Sequence, residues 1–173
     1  MIEAIRALYD YCGWATERIL DAAALLLPEQ WLALGSAGRG SARDTLVHVI
    51  SAQRGWLAWW NGSLPADVAY QHVLDPAQFP DPPAVRVVWS SVEHATRLFL
   101  DELTEADLAR VYSHTFPNSR TFRLPLWQML LHVANHGTQH RSEVAAMLTG
   151  FCHSPGDLDL LTFFRPFGEQ AAG

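Results

Sequence analysis

The chain has 173 residues, 49% of them hydrophobic and 17% charged, which suits one domain with a substantial core and excludes a long disordered chain. Its 12 Lys and Arg stand against 18 Asp and Glu, a formal net charge of -6 with no basic stripe, so no nucleic-acid partner is expected through phosphate neutralisation. The two cysteines, Cys12 and Cys152, exclude a disulfide scaffold and a Cys-x-x-Cys zinc pattern, and the longest apolar run, Ala22 to Leu27, is too short to cross a bilayer. With no long apolar leader after Met1, the expectation is a single domain over residues 1–173, cytoplasmic and without a membrane partner.

Helical period predicts a first helix from Ile2 to Leu27, with the apolar stripe Ile2, Ile5, Leu8, Cys12, Ala15, Ile19, Ala23 and Leu26 and with Pro28 as its stop. A Gly-rich turn follows from Gly35 to Gly40. Ser41 then offers an N-cap, with Asp44 at the acidic position of a capping box. The second helix is predicted over Ala42 to Asn61, with stripe Leu46, Val49, Ile50, Gln53, Trp56, Leu57 and Trp60. Asn61-Gly62 ends it, and His48 stands at the edge of the apolar face.

Residues Ser63 to Pro83 hold five prolines and no clear period, which reads as a long loop of the kind that serves as a lid or crossover. A third helix is predicted from Pro82-Pro83 to Leu103, with stripe Val85, Val88, Trp89, Val92, Thr96 and Phe99. Thr104 to Asp107 would cap a short extra turn. Val111 to Leu124 reads as irregular or extended, with strand propensity at Thr115, Phe116, Thr121 and Phe122.

The fourth helix opens at Pro125, a first-turn proline, and closes at Gly150, with stripe Leu126, Leu130, Val133, Gly137, His140, Val144 and Leu148. The tail Asp157 to Leu161 is apolar enough to dock on the body. Four amphipathic helices with long connections define an all-α class, a four-helix bundle in which metal sites are built from facing helices.

The histidines carry the chemistry. His132, His136 and His140 fall four residues apart on one face of the fourth helix, and that face is also apolar. His136 and His140, one turn apart, can share an ion, whereas three ligands from one helix span too far; His132 is therefore read as packing or as support behind the ligands. The third ligand must come from another helix, and His48 is the candidate. His94 comes out on the solvent side, and His72, His114 and His153 fall in loops or the tail.

Three imidazoles leave coordination positions open, the mark of a catalytic site. Such a donor set suits zinc, nickel, iron and copper alike. Position 137 is Gly, which excludes the His-Glu-x-x-His protease motif, and the absence of Glu-x-x-His excludes a ferritin-like di-iron bundle. No Gly-x-Ser-x-Gly elbow is present.

Asn135-His136-Gly137-Thr138-Gln139-His140-Arg141 resembles the last-helix motif of the DinB/YfiT-like family of metalloenzymes. His48, with Trp56-Leu57 beyond it, resembles that family's helix-two histidine; Tyr11-x-x-Trp14-Ala15 and Asp157-Leu158-Asp159-Leu160 resemble its first helix and closing segment. The resemblance implies an up-down-down-up bundle and a homodimer. It also implies a divalent metal, nickel or zinc, held by His48, His136 and His140.

The chain departs from that pattern at Gln139 and Ser142-Glu143, positions that would shape the pocket rim, and at Thr16, and the ligand positions are intact. The family includes transferases that join low-molecular-weight thiols to electrophiles, in which metal favours the reactive thiolate. A small-molecule substrate is the corresponding expectation. Arg141 would pair with a carboxylate of substrate or thiol, or lie in a surface ion pair. Gln53 and Trp56 are candidates for the pocket, as are Trp59 and Trp60, which serve equally for core or dimer packing. A non-catalytic metal-binding or stress-response protein, and a bundle with a vestigial site, remain open beside the enzyme.

Overall fold

The computed structural model describes residues 1–35, 38–71, 73–115 and 120–165. His72, Phe116 and the middle of the Gly-rich turn lie outside them. The described residues are mostly helical, with one small two-stranded sheet.

Helix α1 spans Ile2–Ala23 and stops four residues earlier than its apolar pattern suggested. Past Ala23 the chain tightens into i→i−3 turns, the Leu25 amide on the Ala22 carbonyl and the Leu26 amide on the Ala23 carbonyl, and the ring of Pro28 excludes helical geometry from Leu27, which is extended at φ −67°, ψ 153°. Pro28 then opens a new short helix, α2 (Pro28–Leu32), rather than only ending the old one. Trp31 of α2 is buried, and its Nε1 donates to the Phe79 carbonyl at 3.3 Å.

Helix α3 (Ala42–Trp60) begins at the expected capping box: Ser41 Oγ accepts from the Asp44 amide at 3.1 Å and Asp44 Oδ2 accepts from the Ser41 amide at 3.3 Å. It ends at Asn61, and Gly62 takes φ 77°. The expected loop after it is partly ordered into α4 (Ala66–Gln71) and a 3₁₀ turn at Pro76–Gln78. Six residues are too few to show a period, so α4 is held by packing rather than announced by pattern.

Helix α5 (Pro82–Glu102) is capped by Asp81, whose Oδ1 accepts from the Ala84 amide at 2.9 Å, and its stripe residues Val85, Trp89, Val92 and Thr96 are buried. The extra turn is a 3₁₀ turn at Asp107–Ala109, with Asp107 accepting from both Thr104 donors. The all-α expectation holds for most of the described residues, with one small sheet added to it. Strands β1 (Val111–Thr115) and β2 (Thr121–Pro125) pair antiparallel, His114 opposite Phe122, where the β-branched and aromatic residues had given local strand propensity.

Helix α6 (Leu126–Gly150) is preceded by Pro125 as N-cap, one residue outside the predicted position. Gly150 lies in its last turn, and Cys152 takes the left-handed conformation at φ 66°. The tail docks as expected: Tyr11 Oη donates to the Leu158 carbonyl at 2.9 Å, and Asp159 caps α7 (Leu160–Phe164).

The four long helices make a closed set of neighbours: α3 packs on α6 and α5, and α1 packs on α6 and α5. The core falls into two clusters. One contains Trp31, Leu46, Ile50, Trp89 and Leu148; the other contains Trp60, Leu100, Leu126 and Leu130. Along α6, one cluster ends at Ala134 and the other begins at Val144. His136 and His140 occupy that gap.

Candidate metal centre

Two imidazoles on successive turns of α6 and one on the facing side of α3 meet in this gap. Nε2 of His48 lies 3.1 Å from Nε2 of His136. The ring centroids are 5.0 Å apart for His48 and His136, 4.9 Å for His48 and His140, and 4.6 Å for His136 and His140. One nitrogen from each ring lies within 4.8 Å of the others. Two nitrogens bound tetrahedrally to one ion at about 2.0–2.1 Å stand roughly 3.3 Å apart, so the His48–His136 pair already has ligand spacing.

The electrostatics suit a cation's ligands. Burial pushes the His48 pKa down to about 4, with Arg39 and His140 adding to the effect; burial does the same for His136, helped by His140, His48 and His132. Both rings are therefore neutral at pH 7, with a lone pair to give. His140 is 8% exposed, and its Nδ1 lies 2.5 Å from Oε2 of Glu143. A carboxylate only accepts, so Nδ1 carries the proton and Nε2 is left as the donor atom. Burial raises the Glu143 pKa, but hydrogen bonds from His140 and Gln139 outweigh it and hold the carboxyl below its ordinary range.

Beside the histidines lies a cavity of about 410 Å³, walled by Trp56, Trp59 and Phe122, with His48 and His136 on its lining. The wall is cross-braced: Trp56 and Trp59 are tilted at 5.7 Å, and Trp59 meets Phe122 edge-on at 6.0 Å. His132 is exposed, packs edge-on against Trp56 at 5.7 Å and lines the same cavity.

Three of the expected pocket residues face elsewhere. Gln53 is buried and donates to Thr96 Oγ1 at 3.0 Å, because α3 packs on both α5 and α6 and this residue turns to α5. Arg141 is one helical step past His140 and so faces α1. It is 3% exposed, and its Nη2 bonds Cys12 Sγ at 3.2 Å and Thr138 Oγ1 at 3.0 Å. It is neither a surface ion pair nor a group on the cavity. Trp60 is core, stacked on Phe99.

The structure adds three residues that the sequence reading missed. Glu143 had a visible signal, its spacing of three from His140. Arg39 comes from the turn before α3, and His114 from β1; neither has a helical period to betray it. His94 is exposed, as expected.

A mostly helical chain with three convergent imidazoles beside an apolar cavity falls in the class of helical proteins with a candidate divalent-metal site. The chain belongs to the DinB family, whose model matches residues 1–170. It is also similar to Protein DinB of Bacillus subtilis (strain 168), 24% identical over 160 residues, which covers 90% of this chain and 92% of the relative.

Proposed function

We propose that this protein is a metal-dependent enzyme that joins a low-molecular-weight thiol to an electrophile. The observation that carries the reading is the placement of His48 and His136 on the wall of an apolar cavity, so that a ligand position between them and His140 opens toward a bound small molecule. A divalent ion there, nickel or zinc, supplies Lewis acidity that favours the thiolate form of a thiol. His48, His136 and His140 hold it, Glu143 fixes the tautomer of His140, and the aromatic wall excludes water and seats the electrophile.

In the same reading, α1, α3, α5 and α6 form an up-down-down-up four-helix bundle, which their closed set of neighbours supports. The chain acts as a homodimer in the cytoplasm. No helix among the described residues is long and apolar enough to cross a membrane, and Leu25, Leu27, Leu32 and Leu34 give an exposed apolar surface at one end.

A second reading rests on the 3.1 Å contact between His48 and His136, which also suits two neutral rings hydrogen-bonded to each other. In that case the protein is a stress-response or binding protein without transferase activity.

Metal content separates the two. Protein purified without a nickel column is measured by mass spectrometry, alongside a His136→Ala, His140→Ala double variant. About one equivalent of divalent metal in the wild type, lost in the variant, is expected. Turnover of a thiol with an electrophile, such as a haloaromatic compound, should follow the metal. No metal taken up on addition would sink the proposal, and full metal without turnover over a panel of thiols would leave the binding reading standing.

A further inference from the structure

We propose that the cavity selects a ligand with a flat aromatic body and a single carboxylate, the ring seated against Trp56, Trp59 and Phe122 and the carboxylate held by Arg39. The inference rests on the proposed function for where the reacting atom would lie, but the binding preference itself comes from the cavity walls.

The aromatic part follows from the wall. Trp56 and Trp59 present ring surfaces tilted at 34°, and Phe122 stands at 78° to Trp59, so faces and edges are both offered to a bound ring. Ring quadrupoles favour that mixture of offset and edge contacts. The volume, about 410 Å³, lies near the small end of ligand cavities and suits one compact molecule.

The carboxylate follows from the charge. Among the described residues lining the cavity, Arg39 is the one Lys or Arg, and no Asp or Glu lines it. Arg39 forms no ion pair among the described residues. Its backbone is tied to the start of α3, where its amide donates to Thr45 Oγ1 at 3.0 Å. The guanidinium lies close enough to lower the pKa of His48. A planar fork matches a planar carboxylate, and one positive charge balances one negative charge better than a phosphate dianion.

Calorimetric titrations with 2-naphthoate and with 2-naphthamide test this at pH 8. Wild type, Arg39→Gln and Arg39→Lys are compared, each metal-free and zinc-loaded. Arg39 is exposed, so both variants should fold, and melting temperature checks it. Naphthoate should bind metal-free wild type about fivefold tighter than the amide, the scale of an exposed charge pair. Arg39→Gln should abolish the preference and Arg39→Lys should keep part of it.

Equal binding of the two compounds by wild type, or a preference that survives Arg39→Gln, overturns the assignment to Arg39. If that surviving preference needs zinc, the carboxylate ligates the metal: the Arg39 proposal fails while the metal reading stands. Binding of neither compound overturns the aromatic seat. An Arg39-dependent preference in a protein that takes up no zinc upholds this inference and sinks only the metal reading.

Discussion

Nδ1 of His140 lies 2.5 Å from Oε2 of Glu143, three residues further along α6. The carboxylate thus fixes which nitrogen of His140 is available to a metal. Groups placed this way behind a metal ligand are typically worth about 10–100-fold in metal affinity. Glu143→Ala should weaken zinc binding by about that factor, and Glu143→Gln, which keeps an acceptor but not the charge, should fall between. Competition against a chromophoric chelator measures both. Unchanged affinity in Glu143→Ala would show that His140 needs no support from this carboxylate.

The lowered pKa values of His48 and His136 make stability of the metal-free protein depend on pH. In the unfolded chain these imidazoles take protons near pH 6.5; in the fold they resist until about pH 4. Between those values the unfolded state binds more protons, so stability falls as pH drops through the window and is level above it. Melting temperature should be flat from pH 8 to pH 7 and decline from pH 6.5 toward pH 4. A His48→Gln, His136→Gln variant should decline less steeply over the upper part of the window. A slope unchanged in that variant would mean that other groups set the profile.

What was legible in the sequence was local or periodic. The Ser41-Asp44 box, the Asn61-Gly62 stop and the start of α5 are written in a few adjacent residues, and their geometry follows without the rest of the fold. The three ligands were legible because the helical period places His136 and His140 together and leaves His48 as the histidine on another core face. Direction was harder. Gln53 lies on the α3 stripe, yet that stripe serves two neighbours, and only packing decides that it meets Thr96. Arg39 lies in a turn, His114 in a five-residue strand, and α4 has six residues, so no pattern accumulates over enough residues to be read.

Gly55 lets the cavity close. A Cβ at this position would stand 2.7 Å from the Ala69 carbonyl of α4, a backbone atom that cannot swing aside. Gly55→Ala gains roughly 1 kcal/mol of helix propensity within α3. Forced repacking of a tight contact costs about 1–3 kcal/mol, so the net effect should be mild destabilisation or near balance. The structural effect is larger, because α4 contributes Ala66 and Ala69 to the cavity lining. The variant should bind naphthoate more weakly while keeping its metal content. Calorimetry and mass spectrometry on the same sample check this, and undiminished ligand binding would mean that α4 does not shape the pocket.

Arg141 tests the division between the two faces of α6. Its guanidinium is buried against α1 and lies over the Tyr11 ring at 5.9 Å, its Nε has no hydrogen-bond partner, and no carboxylate pairs with it among the described residues. Burial of a charge is costly when its pairing is incomplete, and an apolar side chain of similar length can do as well or better. Met fills such a space without a charge and adapts to its shape. Arg141→Met should therefore be at least as stable as wild type in urea unfolding, whereas Arg141→Ala, which also removes packing, should lose stability. Because the side chain points away from His140, both variants should keep full metal content. Loss of metal in Arg141→Met, despite unchanged stability, would place Arg141 back in the site from which the geometry removes it.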